Sequence, residues 1–535
     1  MLAGWHYALL AAAYIAVAGN LRLLNEISPA ATGSLAVPAT ALLLLIGVQA
    51  ILILLFGGRR LLKPLVLTFL LLTAVVSYFD SSLGVIFDTE MIRNVVDTIR
   101  ERNSAEAMEL VSMPMLVYVL VFSAPLMAFT LWVRIRPDTW LKNVRSRAVT
   151  IIAVACLLTV AIGPVFKDVS FFWREHRDLR VHAMPVFPIL SAKRLAKQML
   201  GSSNREFHDF EGQVAQSGEP HKPILGVLVV GETARADHFS LNGYNRQTNH
   251  WLAGDGVESF GSVTACGTST AYSVPCMFSL ASGDDYDPDE AEYEYNVLDV
   301  LTKAGINVSW IDANSGCKAV CRRVSTIDLN GEDNNAGEHH VFDEDLVPYL
   351  EAVSAPGSKD VLLVMHMLGS HGPAYSERYP ASFALYEPAC TNPAPQECSP
   401  QEVVNAYDNT IAYTDYVLHR LIEALRQRQD EYDTFLVYVS DHGESLGENG
   451  IYLHGWPNAI APHEQKSVPM ITWFSDRFLQ DHKLTHSAIA SRSSREVSHD
   501  VLSHSLLGLF NVNTSAYDAA LDVFRPSAAK DFSRT

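Results

Sequence analysis

ILGVLVVGETARADHFSLNGY, residues 224–244, opens on the apolar run Ile224–Val230 and breaks at Gly231-Glu232-Thr233. A run that short, closed by glycine, reads as a strand buried on both faces of a parallel sheet. Glu232 then stands where strand gives way to loop. In open α/β sheets, ligands bind beyond the carboxyl ends of the strands. Further on come Cys266-Gly267-Thr268-Ser269-Thr270 and Pro275-Cys276, hydroxyls in a loop fenced by two cysteines. A carboxylate and hydroxyls placed this way point to a metal-activated nucleophile.

Three more apolar runs end in polar clusters. Ile306–Ile311 leads into Asp312-Ala313-Asn314-Ser315-Gly316-Cys317-Lys318. Val361–Met365 leads into His366-Met367-Leu368-Gly369-Ser370-His371-Gly372-Pro373. Phe435–Val439 leads into Ser440-Asp441-His442-Gly443-Glu444, with His454 following in Tyr452-Leu453-His454-Gly455. Between the runs, Val297–Ala304 and Val403–Arg426 have helical periodicity. The alternation predicts an α/β domain with a largely parallel sheet from Pro223 onward. Val501–Phe524 reads as a packed terminal helix and strand, and Gly201–Pro223 as a polar linker.

The first third is different in kind. The chain has 535 residues, too many for one ordinary domain. Residues 1–168 hold 13 Lys+Arg and 10 Asp+Glu, whereas residues 169–535 hold 27 and 49. So acidic an exterior argues against a nucleic-acid partner. Apolar spans cover roughly 5–21, 37–57, 61–79, 113–133 and 148–166, most near the ~20 residues that cross a bilayer. The basic loops carry Arg59, Arg60 and Lys63, then Arg134, Arg136, Lys142, Arg145 and Arg147. Positive loops stay inside, so five crossings place everything after about residue 168 outside. The organisation expected is a five-helix transmembrane domain (1–168), an interfacial bridging helix and linker (169–222) and an exterior catalytic domain (223–535). Ser191–Met199, with Lys193, Arg194 and Lys197, reads as a short surface helix.

The cysteines agree with that orientation. Cys156 falls in the fifth span, and the other six form close pairs outside: 266/276, 317/321 and 390/398. Pairs in an oxidising compartment suit disulfides, and no Cys-x-x-Cys zinc spacing occurs.

Glu, Asp and His together make a mixed oxygen and nitrogen site of the kind zinc accepts. Calcium or magnesium would want more oxygen and less histidine. Adjacent Asp441 and His442 can face one ion only on a turn, which Gly443 permits. Singly, each feature is ordinary: an Asp-His pair caps helices, a Thr in a turn is a turn hydroxyl, and a His before Gly-Pro braces a loop. Four polar clusters at four strand ends together indicate a site.

These stretches resemble the phosphoethanolamine transferases of the alkaline-phosphatase/sulfatase superfamily, the lipid A-modifying group that includes the mobile colistin-resistance enzymes. The resemblance is carried by GETARADHFSLNGY (231–244), CGTSTAYSVPCMFS (266–279), SGCKAVC (315–321), GSHGPAY (369–375), YDNTIAYTDYVL (407–418), SDHGESLGENGIYLHG (440–455) and SVPMITW (467–473). It implies zinc held by Glu232, Thr270, Asp441 and His442, with a second zinc an open point, and Thr270 as the nucleophile that carries a phosphoethanolamine intermediate. It places Lys318, His371, Glu444 and His454 at substrate-phosphate and supporting positions, His371 or His454 protonating the leaving oxygen. It places Asn94, Thr98 and Glu106 near lipid head-group positions, although the Thr98-to-Glu106 spacing is longer here than in the family. The implied partners are phosphatidylethanolamine as donor, lipid A or the lipopolysaccharide core as acceptor, and the bacterial inner membrane, with the catalytic domain in the periplasm of a monomer. Adding an ethanolamine cation would lower the charge seen by cationic peptides such as polymyxin.

A sulfatase would need Cys or Ser in a C/S-x-P-x-R context, and Ser273-Val274-Pro275-Cys276-Met277 has Met in place of Arg. A phosphatase or a phosphoglycerol transferase of the same fold is the alternative. A non-catalytic lipid receptor is disfavoured by the intact Glu232, Thr270, Asp441 and His442.

Overall fold

The computed structural model describes the chain except residues 31–35, 59, 101–109, 177, 203–206, 208–209, 211, 217–221, 331–340, 354–358 and 526–535. The chain divides into two compact units: Met1–Ile92 with Val111–Lys197, and Arg93–Leu110 with Gln198–Thr535.

Among the described residues up to 202, the α-helices are α1 (Gly4–Ala18), α2 (Leu21–Ala30), α3 (Ala36–Phe56), α4 (Leu62–Leu83), α5 (Thr89–Arg100), α6 (Met113–Trp132), α7 (Trp140–Ile162), α8 (Phe166–Glu175) and α9 (Val186–Ser202). Among the described residues, four stretches, Ala36–Phe56, Leu62–Leu83, Met113–Trp132 and Trp140–Val165, are long and apolar enough to cross a bilayer. The expected first span is the exception. It is α1 and Leu21–Ile27 with a 62° bend between them, and counts as a fifth span only if the pair is taken as one. Asn20 sits at the break, its side-chain amide donating to the Ala16 carbonyl at 3.0 Å and the Met184 carbonyl at 2.8 Å. Small residues of α1, Ala8, Ala11 and Ala12, pack with Ala50, Ile53 and Leu54 of α3. Without a hydrophobic drive in lipid, such close backbone approach is what holds helices together.

Near the end of α4, Asp80 is buried, with His182 Nδ1 2.5 Å from its carboxylate and Arg22 3.3 Å away. Met184 N–H donates to Asn20 Oδ1 at 2.7 Å. These bonds tie the start of the connector to the helical bundle. The surface helix expected over 191–199 is longer, α9, because the apolar residues Val186–Ile189 continue its buried and half-buried face.

The second unit is built on an eight-stranded sheet. In chain order its strands, with two small two-stranded ribbons, are β1 (Val214–Gln216), β2 (Ile224–Gly231), β3 (Glu258–Thr264), β4 (Asn307–Asp312), β5 (Ser325–Asp328), β6 (Val361–His366), β7 (Asp433–Ser440), β8 (Ser445–Leu446), β9 (Tyr452–Leu453), β10 (Ser467–Phe474), β11 (Val497–Ser498) and β12 (Val512–Thr514). The order across the main sheet is β11-β3-β10-β7-β2-β6-β4-β5. From β7 to β5 every pairing is parallel, and β10 runs antiparallel to both β3 and β7. Every residue of β2 and β7 is buried. Alternate side chains of β2 feed two cores: Leu228 and Val230 meet Val274, Met277 and Leu506 on one face. Leu225, Val227 and Val229 meet Ala406, Ile411 and Leu421 on the other. The covering helices are α10 (Thr270–Phe278), α11 (Val297–Lys303), α12 (Pro400–Gln427) and α13 (Val501–Leu509). The 201–223 linker contains a short strand after all, since β1 pairs antiparallel with β12.

The three expected cysteine pairs are disulfides: 266–276, 317–321 and 390–398. Cys156 is exposed on α7.

Candidate metal centre and active site

Register aligns the polar clusters at one end of the sheet. Gly231 of β2 pairs with Ser440 of β7, Val230 with His366 of β6, and His366 with Asp312 of β4. The residues that follow these strands therefore converge. Glu232 follows β2, Asp441 and His442 follow β7, and each is fully buried.

Thr270 is not on an open loop. It is the first residue of α10, buried, inside the ring closed by Cys266–Cys276. Its hydroxyl donates to Glu232, 3.1 Å from Oε2 and 3.3 Å from Oε1, and lies 3.4 Å from His442 Nε2. His442 Nε2 is 3.4 Å from Glu232 Oε1 and 3.3 Å from Asp441 Oδ2. Nδ1 of the same ring is 3.0 Å from the Gly443 carbonyl, which can only accept. The proton is thus on Nδ1, and the Nε2 lone pair faces the carboxylates.

The residues fit a cation. Ligand atoms of Glu232, Asp441 and His442 lie within 4.8 Å of one another. Asp441 Oδ2 is buried without a hydrogen-bond partner among the described residues. Without a counter-charge, burial and the neighbouring Asp441 push Glu232 up to about 7. Burial does the same to Asp441, also to about 7, and takes His442 down to about 4. Two buried acids and a neutral imidazole make a donor set that a divalent ion would neutralise.

The surroundings hold that geometry. Asn314 Nδ2 donates to Glu232 Oε2 at 2.8 Å and to the Met367 carbonyl at 2.9 Å. Thr233, at φ +53°, donates its N–H to Asp441 Oδ1 at 3.3 Å, and its carbonyl accepts from the Tyr407 hydroxyl at 2.6 Å. A β-branched residue in the left-handed region is costly and persists only where its surroundings enforce it. On α10, one turn after Thr270, Ser273 Oγ donates to the Asp441 carbonyl. His499 bridges the same two elements: Nδ1 is 3.2 Å from Cys266 N–H and Nε2 3.0 Å from the Ser440 carbonyl. Asn314 stood in a recognised strand-end cluster. His499 is one polar residue far along the chain and leaves no sequence signal.

Gly443 is required by space. A Cβ there would stand 2.1 Å from the Glu464 carbonyl oxygen. Gly443→Ala is expected to push the Asp441-His442 turn out of line, costing about 1–3 kcal/mol and most of the turnover. Thermal melts and initial rates of the full-length variant check this, and an unchanged rate would refute it.

A second shelf of residues adjoins the cluster. The His454 ring lies 4.4 Å from that of His442 and 5.5 Å from that of His371. Glu444 is clamped between the Tyr375 hydroxyl and His454 Nδ1, each at 2.8 Å. Burial raises Glu444 to about 8 and lowers both His371 and His454. The two imidazoles therefore rest neutral. Lys318, at φ +48° within the 317–321 disulfide turn, donates to the Ser315 carbonyl at 2.7 Å and its charge reaches His371. Asn94 and Thr98 both fall on α5; only the backbone of Thr98 is described, and Glu106 lies outside the described residues.

Comparison with known proteins now has a geometry to rest on. The sulfatase family matches residues 225–512, and the family described as phosphoethanolamine transferase EptA/EptB matches residues 45–200. Phosphatidylethanolamine transferase Mcr-1 of Escherichia coli is 38% identical over 503 residues, covering 89% of this chain and 92% of that protein. Phosphoethanolamine transferase EptA of Escherichia coli K12 is 38% identical over 475 residues, covering 86% and 85%. Among solved structures, the integral membrane lipooligosaccharide phosphoethanolamine transferase A of Neisseria meningitidis superposes with a TM-score of 0.90 at 31% identity, over 97% of this chain and 99% of that one. The chain belongs to the phosphoethanolamine transferase family, as an integral membrane enzyme whose catalytic domain is periplasmic.

Proposed function

We propose that the protein transfers phosphoethanolamine from phosphatidylethanolamine to a phosphate of lipid A, or to the lipopolysaccharide core, in two steps through phospho-Thr270. The observation that carries this reading is the buried Thr270 hydroxyl within 3.1–3.4 Å of Glu232 and His442, at a helix N-terminus. Glu232, Thr270, Asp441 and His442 would hold zinc, which when bound lowers the pKa of a coordinated hydroxyl. Thr270 Oγ attacks the donor phosphorus; the Oγ–P bond forms and the bond to the diacylglycerol oxygen breaks. The hydroxyl proton passes to Glu232, which already accepts its hydrogen bond. The N-terminal end of α10 favours the charge that develops on the phosphoryl oxygens. Lys318 offsets the same charge, and the His371–His454 pair relays to the leaving oxygen the proton held on Glu444, which is raised to about 8 and hydrogen-bonded to His454 Nδ1. In the second step a protonated acceptor phosphate attacks the same phosphorus through one oxygen, the Oγ–P bond breaks, Thr270 recovers its proton from Glu232, and the acceptor's proton returns to Glu444. Asn94, Thr98 and Glu106 are assigned to the lipid head group.

Intact mass spectrometry of the full-length protein after exposure to phosphatidylethanolamine tests this. A phosphoethanolamine adduct on Thr270 is expected. An adduct of phosphoglycerol size from phosphatidylglycerol, with none from phosphatidylethanolamine, would replace this donor.

A further inference from the structure

The second half of α9 takes no part in the metal cluster. Lys193, Arg194 and Lys197 are all exposed there, while Pro188, Ser191 and Leu195 form its buried face. At 3.6 residues per turn the three cations share one arc, away from the buried face. Among the described residues, none of the three has an ion-pair partner. Leu190, 49% exposed, and Leu200, 77% exposed, flank the cations. The start of the segment is anchored to the membrane helices through Met184–Asn20 and His182–Asp80.

This charge is on the wrong side for topology. Cations near a bilayer collect on the cytoplasmic face, yet α9 follows the last span and precedes the periplasmic domain. The exterior as a whole is strongly acidic, 27 Lys+Arg, these three included, against 49 Asp+Glu over residues 169–535. A polyanionic lipid approaching it meets a net repulsion that a local basic patch offsets. A zwitterionic donor gains little from three clustered cations. A glycolipid with several phosphate charges gains much more, and a singly charged phospholipid lies between.

We propose that Lys193, Arg194 and Lys197 form a docking stripe for the phosphates of the acceptor lipid A at the periplasmic surface of the membrane. The inference rests on the acceptor assigned under the proposed function. Exposed leucines on either side seat the helix among acyl chains while the cations reach the head groups.

The test uses full-length protein in phosphatidylethanolamine vesicles with lipid A as the varied component. Lipid A modification is followed by mass spectrometry, and acceptor-independent diacylglycerol release is measured alongside. In the triple variant Lys193→Gln/Arg194→Gln/Lys197→Gln, the apparent KM for lipid A is expected to rise about tenfold with kcat retained. The charge-conserving variant Lys193→Arg/Arg194→Lys/Lys197→Arg should restore the KM. An unchanged KM overturns the stripe, and so does an equal fall in diacylglycerol release, which would make α9 a structural brace. Phosphatidylglycerol competing as well as lipid A at equal phosphate would reduce the stripe to general surface attraction and overturn it as an acceptor site. If wild type releases diacylglycerol yet never modifies lipid A, the acceptor reading itself falls, and the stripe with it.

Discussion

Thr270→Ala is expected to lower transfer by about 10⁴-fold or more, because removal of a nucleophile leaves only binding and electrostatics to act. The substitution removes the hydroxyl and a methyl group at the first turn of α10 and leaves the Cys266–Cys276 ring intact. The fold should therefore persist, with a melting temperature close to wild type. Thr270→Ser keeps the oxygen but loses the methyl that fixes its rotamer, so it should retain part of the activity. Rates of lipid product formation, with the melt as control, decide the matter. A Thr270→Ala enzyme within tenfold of wild type would mean that another group attacks.

The second large effect is removal of the ion. Exhaustive chelation, or Asp441→Asn, is expected to abolish transfer and to reduce bound zinc, measured by elemental analysis, from about one equivalent to a small fraction. Loss of a tightly bound ion also lowers stability, by about 4 kcal/mol when zinc had stood at a thousand times its Kd. The stripped protein should show a particular pH dependence. Glu232 and Asp441 titrate near 7 in the ion-free fold, pushed up chiefly by burial, against roughly 4 in an unfolded chain. The folded state then holds the extra protons, so stability is full below pH ~4, declines as pH rises and is lost once pH passes the folded values near 7. Zinc-loaded protein lacks this decline. Melts of both forms between pH 5 and 8 check the prediction, and parallel profiles would refute it.

The strands that carry ligands were readable because burial on both faces turns them into unbroken apolar runs, as in β2, β6 and β7. Antiparallel β3 and β10 were missed for a physical reason. β3 is interrupted by Gly261 and mixes polar Glu258, Ser259, Ser262 and Thr264 with its apolar residues, and β10 contains Pro469, which ordinarily demotes a strand. The sheet accommodates it with a register shift between Val468 and Met470, opposite β3. β1 was lost in a polar linker because three residues paired with a distant strand show no periodicity. At the site, the polar clusters at strand ends were visible one by one, and register made them neighbours. The side chains that steady them, Asn314 against Glu232 and His499 between Cys266 and Ser440, depend on contacts across some 80 and 230 residues of chain. No local pattern encodes such a contact.

That distance also sets the order of events during biogenesis. Glu232 and Asp441 are brought together only when β2 and β7 pair, after most of the exterior chain has been exported. A zinc ion held by Glu232, Asp441 and His442 could not act as a nucleus for folding, as it does where ligands are a few residues apart. It would be captured late, by a framework already closed around the two acids. With Glu232, Asp441 and His442 all at 0% exposure, an ion held there would exchange slowly, its residence time set by local opening of the sheet end as well as by intrinsic affinity.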